Sequence, residues 1–244
     1  MTDARRHYEQ HLAPIYAWMA GGRDAAFAAG ADELAALGLP RAPGDLVVDL
    51  GAGFGKHALP LARRGARVLA VDSSAELLQA LVEARGALAV QVVEGDLVDF
   101  RRWLAEPPAA ILCLGDTLTH LGAPADVERL VDEAAAALSP GGRFVLGFRD
   151  YTVPPIGDAR FIPVRADDAR ILTCFIETEA GGTRVFVHDL LHERTDAGWH
   201  TRVSHYPKLR LAPAWLAQRL AACGFDVCQE AGAGGMVRLV AIRR

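Results

Sequence analysis

The chain of 244 residues has little lysine, few cysteines and no long apolar run, and each shortage excludes a class of protein. The net charge is -4, and arginine supplies most of the positive charge, which we interpret as a composition bias. A general nucleic-acid binder normally carries a basic face. A membrane helix needs roughly 20 consecutive apolar residues. We therefore expect neither a nucleic acid nor a membrane as a partner.

The cysteines and the N-terminal segment favour a cytoplasmic protein. No two cysteines have the CxxC spacing, so reduced, mostly buried thiols are expected. The segment with Arg5, Arg6 and Glu9 lacks the apolar stretch of a signal peptide. The four cysteines are Cys113, Cys174, Cys223 and Cys228.

Apolar segments alternate regularly with helical ones between residues 44 and 159. Near-continuous apolar strands separated by helices predict a parallel sheet with helices on both faces. Low-complexity segments and internal repeats are absent. The predicted strands are 46–50, 68–71, 89–93, 110–114 and 143–148.

Four segments follow from this pattern. We expect residues 1–43 to form a helical segment that covers the ligand-binding site of the core. Residues 44–159 are expected to form that core. Residues 160–208 alternate like antiparallel strands and form a cap, whereas residues 209–244 add the last helix and a closing hairpin. The predicted fold is α/β: a Rossmann-like, seven-stranded, mostly parallel sheet with an inserted antiparallel β cap between the fifth strand and the last helix. The cap strands are predicted at 171–177, 183–194 and 199–206.

Four carboxylates lie at or just beyond the carboxyl ends of successive predicted strands. Asp49, Asp72, Asp96 and Asp116 are spaced 23, 24 and 20 residues apart, about one strand and one helix each. In an open α/β sheet, ligands bind at the carboxyl ends of the strands. We therefore expect all four side chains at one edge of the sheet.

A glycine-rich loop, Gly51 to Gly55, follows the first strand. Glycines permit a tight turn and close approach of a ligand, and the N–H groups of the next helix suit a carboxylate. Asp72 is placed to accept hydrogen bonds from ribose hydroxyls, and Asp96 is placed to accept one from an adenine amino group. The Leu97 N–H is available to donate to a ring nitrogen. The nicotinamide fingerprint GxGxxG requires a third glycine at position 56, where this chain has Lys56.

These segments resemble the motifs of class I S-adenosylmethionine-dependent methyltransferases over residues 45–150. The matching segments are 49–55, 71–72, 95–97 and 138–142. The resemblance implies S-adenosylmethionine (SAM) as cofactor, S-adenosylhomocysteine as product and no metal. Tyr16 closes the site, and Arg23 pairs with the methionyl carboxylate or is simply solvated. The full set of expected cofactor contacts is Tyr16, Arg23, Asp49, Gly51, Ala52, Gly53, Asp72, Ser73, Asp96, Leu97 and Leu114.

Residues 113–121, 148–151 and 204–207 resemble glycine N-methyltransferases more narrowly. That family usually has Asn at the position of Asp116, where the Asn and an Arg hold the substrate carboxylate. Arg149 is retained, but Asp116 would repel a carboxylate, so an amine, a hydroxyl or a cationic group is expected.

The expected pocket also has structural alternatives, since histidines and tyrosines are often core residues. Two His pairs spaced by four residues, His7 with His11 and His188 with His192, lack a third ligand, so no metal is expected. The candidate catalytic and substrate-positioning residues are Asp116, His120, Arg149, Tyr151, His205 and Tyr206.

The sequence thus predicts methyl transfer to a nitrogen or oxygen of a small molecule. A catalytically silent module that binds SAM or S-adenosylhomocysteine is the alternative, followed by a nicotinamide-dependent oxidoreductase. A homo-oligomer is compatible with the sequence.

Overall fold

The computed structural model describes residues 11–179 and 181–244. They contain two sheets, one of seven strands and one of four. The part of the predicted N-terminal helix before residue 11, including His7, lies outside the described residues.

The first half of the chain alternates helices and strands as predicted. Gly21 and Gly22 separate the first two described helices. The elements are α1 (Ala13–Met19), α2 (Arg23–Ala36), β1 (Leu46–Leu50), α3 (Ala58–Arg63), β2 (Arg67–Asp72), α4 (Ala75–Arg85), β3 (Val90–Glu94), a 3-10 helix (Leu97–Trp103), β4 (Ala110–Cys113), a 3-10 helix (Thr117–His120), α5 (Pro124–Ala137) and β5 (Arg143–Phe148).

The second half holds the antiparallel excursion and the closing hairpin. It consists of a 3-10 helix (Gly157–Arg160), β6 (Phe161–Ala166), β7 (Arg170–Thr178), β8 (Arg184–Thr195), β9 (Gly198–Leu209), α6 (Pro213–Ala222), β10 (Phe225–Ala231), a 3-10 helix (Ala233–Gly235) and β11 (Val237–Arg243).

The seven strands run in the order β10-β11-β5-β4-β1-β2-β3, with β1 to β5 parallel and β11 antiparallel to β5. Apolar side chains of α5 and α6 cover one face, and those of α2, α3 and α4 cover the other. The predicted Rossmann-like fold is confirmed. Strand order reverses between β1 and β4, so a crevice opens at the carboxyl ends of these strands.

The cap has four strands, in the order β6-β7-β8-β9, not the three predicted. The missed strand β6 contains Pro163, which weakens a strand signal because proline has no N–H for the ladder. The structure accommodates this by placing β6 at the sheet edge, with an irregular register between Pro163 and Arg165.

One face of the cap packs against the rest of the protein. Leu12 and Ile15 of α1 share a buried cluster with Leu172, Val187 and other inward residues of the cap. Side chains alternate between the two faces of a strand, so the register of β7 to β9 decides which residues face the core.

Candidate active site

The carboxylate of Asp72, the last residue of β2, holds the glycine-rich loop. Its Oδ2 accepts from the Gly53 N–H at 2.8 Å, and its Oδ1 accepts from the Ser74 N–H at 2.8 Å. A carboxylate oxygen accepts more than one hydrogen bond. The Asp72 oxygens therefore retain acceptor capacity for hydroxyl groups while they fix the loop.

Gly51 allows the loop to approach the segment after β4. Its φ is +75°, and a Cβ atom there would lie 2.3 to 2.9 Å from three side-chain atoms of Thr117. Any larger residue at position 51 would be strained in its backbone and would collide with Thr117.

The N–H groups of the glycine-rich loop are bonded within the protein. Those of Gly51 and Ala52 donate to the Val71 carbonyl, and those of Gly53 and Gly55 donate to Asp72 and to the Ala52 carbonyl. Helix α3 begins only at Ala58, three residues beyond the loop. The tight turn therefore uses its own donors, and the expected carboxylate contact with the helix N–H groups stays a prediction.

Asp49 lies beneath the loop and is 1% exposed. Burial raises the pKa of its carboxyl, the neighbouring charge of Asp72 raises it further, and His57 opposes both. Within the described residues, Asp49 Oδ2 has no hydrogen-bond partner. Asp49 is thus a buried, incompletely satisfied acceptor at the base of the cofactor loop.

Asp96 follows β3 and caps the 3-10 helix that starts at Leu97. Its Oδ1 accepts from the Val98 N–H at 3.0 Å, and the residue is exposed at the sheet edge. Among the described residues its other oxygen makes no hydrogen bond, so it can accept one from an amino group. Ser73 and Leu114 also lie at this edge, half-buried and buried respectively.

The N-terminal segment reaches the cofactor loop at two points. The ring of Tyr16 meets that of Phe54 edge-on at 5.8 Å. Glu33 of α2 bonds to His57 at 3.0 Å and to Lys56 at 3.3 Å. Burial raises the pKa of Glu33, but the hydrogen bonds and charges of His57 and Lys56 outweigh it and lower the pKa to about 2.

Arg23 is exposed at the start of α2 and makes no ion pair with another described residue.

A second cluster surrounds Asp116, three residues beyond β4. Asp116 is 5% exposed and adopts the left-handed conformation with φ +70°. Its Oδ1 accepts from the Arg149 N–H at 2.9 Å, and its Oδ2 accepts from the Tyr151 hydroxyl at 3.2 Å and from Lys208 Nζ. Burial raises the pKa of Asp116, but Lys208 and these donors overcome it, so the pKa lies below its usual value.

Aromatic rings enclose this ion pair. Lys208 Nζ lies 5.8 Å from the ring centroids of both Tyr151 and Tyr206. The ring of His120 stacks on Tyr206 at 5.4 Å. Burial and the charge of Asp116 raise the pKa of Tyr151, so its hydroxyl stays protonated and donates.

Lys208 is the member of this cluster that sequence reasoning missed. Its presence removes the argument that a free Asp116 carboxylate would repel an anionic substrate, because Lys208 neutralises that charge. The available signal was composition: the chain has only two lysines among 26 Lys and Arg residues.

Known methyltransferases are similar to this chain in sequence and in fold. Residues 47–142 match the model of a methyltransferase domain. Over 109 residues the chain is 33% identical to the glycine/sarcosine N-methyltransferase of Halorhodospira halochloris, covering 43% of this chain and 40% of the relative. The chain therefore spans well under two thirds of the length of the curated relatives it matches, which also include ribosomal RNA methyltransferases.

Solved structures match over nearly the whole chain. CcbJ methyltransferase from Streptomyces caelestis has a TM-score of 0.77 and 22% identity, covering 97% of both chains. SAM-bound CalS10, an amino pentose methyltransferase from Micromonospora echinaspora, has a TM-score of 0.76 and 20% identity, covering 94% of this chain and 95% of the other. Residues 47–142 thus resemble a methyltransferase domain, and the chain shares the fold of these solved methyltransferases.

The register of β9 in the cap decides which of the remaining candidate residues face the protein interior. Tyr206 and Lys208 lie on the inward face of β9 and are 6% and 8% exposed. His205 points to the opposite, exposed face, where its ring contacts those of His188 and Phe186. The expectation that His205 lines the pocket was therefore wrong, because adjacent residues of a strand face opposite sides.

The described residues contain neither a metal-binding cluster nor a helix that could span a membrane. Across residues 11–179 and 181–244, no group of three or more His, Cys, Asp or Glu side chains has the arrangement of a metal site. In the same part of the chain, no helix is both long enough and apolar enough to cross a bilayer.

Proposed function

We propose that the chain transfers the methyl group of SAM to an amine nitrogen of a small molecule bound under the cap. The observation that carries this proposal is the adjacency of the two clusters. Thr117 packs against Gly51 of the cofactor loop, and the residue before it, Asp116, holds Arg149, Tyr151 and Lys208. Direct transfer requires donor and acceptor to be held next to each other.

The residues of the first cluster fit the cofactor. Asp72 would accept from the ribose hydroxyls, the exposed oxygen of Asp96 from the adenine amino group, and the region of Asp49 would take the amino end of the methionyl tail. When bound, SAM supplies a methyl group that is activated by a positively charged sulfonium.

Nitrogen is the acceptor atom that the pocket favours. A hydroxyl would need a base to remove its proton during attack, whereas a neutral amine already has a lone pair. Asp116 is held as a carboxylate by Lys208 and by hydrogen bonds from the Arg149 N–H and the Tyr151 hydroxyl, so it is a poor base. The proposal gives His120, stacked on Tyr206, the role of accepting the proton that the amine releases.

Some of the similar proteins have names that fit an amine acceptor, although others, such as the ubiquinone biosynthesis O-methyltransferase of Xylella fastidiosa, do not. Glycine, sarcosine and an amino pentose all offer a nitrogen, although the matched segments of the curated relatives leave the acceptor half largely uncovered. Residues 160–208 would then serve as the acceptor cap and residues 1–43 as the cover of the cofactor. The cytoplasmic location and a homo-oligomer stay predictions.

Isothermal titration with SAM, S-adenosylhomocysteine and NADH tests the cofactor. We expect binding of the first two at about micromolar strength, near -8 kcal/mol, and none of NADH. Binding of NADH alone would contradict the proposal and favour an oxidoreductase.

Formation of S-adenosylhomocysteine with panels of small amines and alcohols tests the reaction. Turnover with amines and not with the matching alcohols is expected. Cofactor binding without turnover on either panel would instead identify a silent binding module.

A further inference from the structure

Asp116 is a buried carboxylate in a position where the resembling family usually has a neutral Asn. A charge taken out of water destabilises a protein unless it is paired and hydrogen-bonded. Lys208 supplies the charge from 92 residues away in the sequence, on the last strand of the cap. The buried carboxylate at position 116 and the lysine at position 208 therefore form one ion pair between the core and the cap.

The close packing around Nζ favours a lysine at position 208 in a chain in which most basic residues are arginine. The ammonium is a compact point charge, whereas guanidinium is a wide planar fork. Here Nζ fits between the rings of Tyr151 and Tyr206 and reaches Asp116 Oδ2. The structure also keeps Lys208 almost fully enclosed, at 8% exposure.

We propose, on the basis of the proposed function, that Lys208 is a positioning residue. By pairing with Asp116 it keeps the hydroxyl hydrogen of Tyr151 directed to Asp116. The lone pairs of that hydroxyl oxygen are then left to accept from the N–H of the substrate amine, which orients the nitrogen lone pair toward the methyl group. Lys208 itself makes no contact with the acceptor.

Protonation of Asp116 would undo this arrangement, because its Oδ2 would no longer be a full acceptor for Tyr151. Lys208 prevents protonation through its charge. The titratable and charged groups that face Asp116 or its partners are Cys113, His120, Arg149, Tyr151, Cys174 and Lys208.

The test compares four variants of the full chain. Lys208→Met removes the charge, and Lys208→Arg retains it. The double variant Asp116→Asn with Lys208→Met removes both charges but keeps an oxygen at position 116 that accepts from Tyr151. The matched control is Arg202→Met on the same strand, which removes a cation paired with Glu193 at 2.9 Å.

The kinetic readout is kcat/KM for the amine as a function of pH. We expect Lys208→Met to lower it by about 10-fold at pH 7, close to 1.4 kcal/mol, and to move its acidic limb up by at least about one pH unit. Lys208→Arg should keep the position of the acidic limb because it retains the charge, but it should lower kcat/KM because the wide guanidinium fits poorly beside the two tyrosine rings. The double variant should recover most of the lost activity. Its pH profile should lack the acidic limb that Asp116 causes, because asparagine does not titrate. SAM affinity and the Arg202→Met profile should not change.

Carbon-13 NMR of the Asp116 carboxyl, assigned with Asp116→Asn, adds a readout that needs no turnover. An unchanged Asp116 titration in Lys208→Met would overturn the inference, as would a double variant that stays as slow as Lys208→Met, since Lys208 would then act on the acceptor directly. Failure of the wild-type protein to methylate any amine would overturn the proposed function, and is recognised before any variant is made. If Lys208→Met does not fold, the inference is tested with Lys208→Arg and the double variant. The acidic limb of kcat/KM and the activity of the double variant are then the deciding measurements.

Discussion

The two sides of the candidate site are built in different ways. The cofactor side consists of strand ends and the loops that follow them, and its decisive contacts span short stretches, such as Asp72 to Gly53 across 19 residues. The acceptor side joins Asp116 to Tyr151 and to Lys208, across 35 and 92 residues. A local site leaves a motif in the sequence, whereas a site assembled by packing leaves almost none.

The difference also appears in the electrostatics. On the cofactor side, Asp72 accepts hydrogen bonds from the backbone N–H groups of Gly53 and Ser74, which lie nearby in the sequence. On the acceptor side, Asp116 depends on one particular side chain from the cap. Changes to the first side should therefore act on cofactor affinity, and changes to the second on acceptor kinetics.

Asp72→Ala should produce the largest effect. It removes the expected ribose contacts and two hydrogen bonds that hold the loop. SAM affinity measured by titration should fall by about 100-fold or more, about 3 kcal/mol, because hydrogen bonds to a charged group are lost. Asp226→Ala, an exposed carboxylate on β10, is the control. Equal affinity of Asp72→Ala and the wild type would remove the basis of the cofactor assignment.

Gly51→Ala should be the next most severe change. Its Cβ would meet Thr117 in a backbone conformation with φ +75°, costing about 2 kcal/mol or more of unfolding free energy. Gly86→Ala shares a positive φ, +51°, but has open space around it, so it isolates the collision. The two variants are compared by denaturant unfolding and SAM titration. Similar losses would mean that backbone strain alone matters.

Glu33→Gln should change how stability depends on pH. The folded pKa of about 2 lies below the usual 4.5, so the stabilisation is fully present above pH 4.5 and is lost as pH falls toward 2. The shift corresponds to at most about 3 kcal/mol. Urea unfolding at several pH values should show a smaller free energy for Glu33→Gln above pH 4.5, converging with the wild type under acid. Parallel curves would exclude this role of Glu33.

Tyr151→Phe sharpens the comparison from the acceptor side. Loss of the hydroxyl should reduce kcat/KM for the amine by about 10-fold, near 1.4 kcal/mol, with unchanged SAM affinity. An equal loss of cofactor affinity would show that the two sides are not separable in this way.

His205→Ala should have the smallest effect. The side chain lies on the exposed face of the cap, so kcat/KM should stay within about twofold of the wild type. A large loss would mean that the outer face of the cap takes part in the reaction.

Much of the cofactor side could be predicted because each strand end carries its own residue. Asp49, Asp72 and Asp96 lie where the spacing of strand and helix units placed them. What could not be predicted was the use of the loop donors, since Gly51 and Ala52 turn tightly enough to bond to Val71 of the neighbouring strand. The acceptor side was only partly predicted: Asp116 and Tyr151 were named, but Lys208 was not.

The sequence by itself determined the α/β architecture and the ordered series of carboxylates, because the periodicity of apolar residues and the glycine-rich turn are local properties of the chain. Only the tertiary structure decided that Asp116 is ion-paired, that Tyr206 faces inward and His205 outward, and that Pro163 lies in an edge strand. These features depend on strand register and on contacts between distant segments. A shift of one residue in register would reverse the faces of β9, and no local pattern specifies which cation reaches a buried carboxylate.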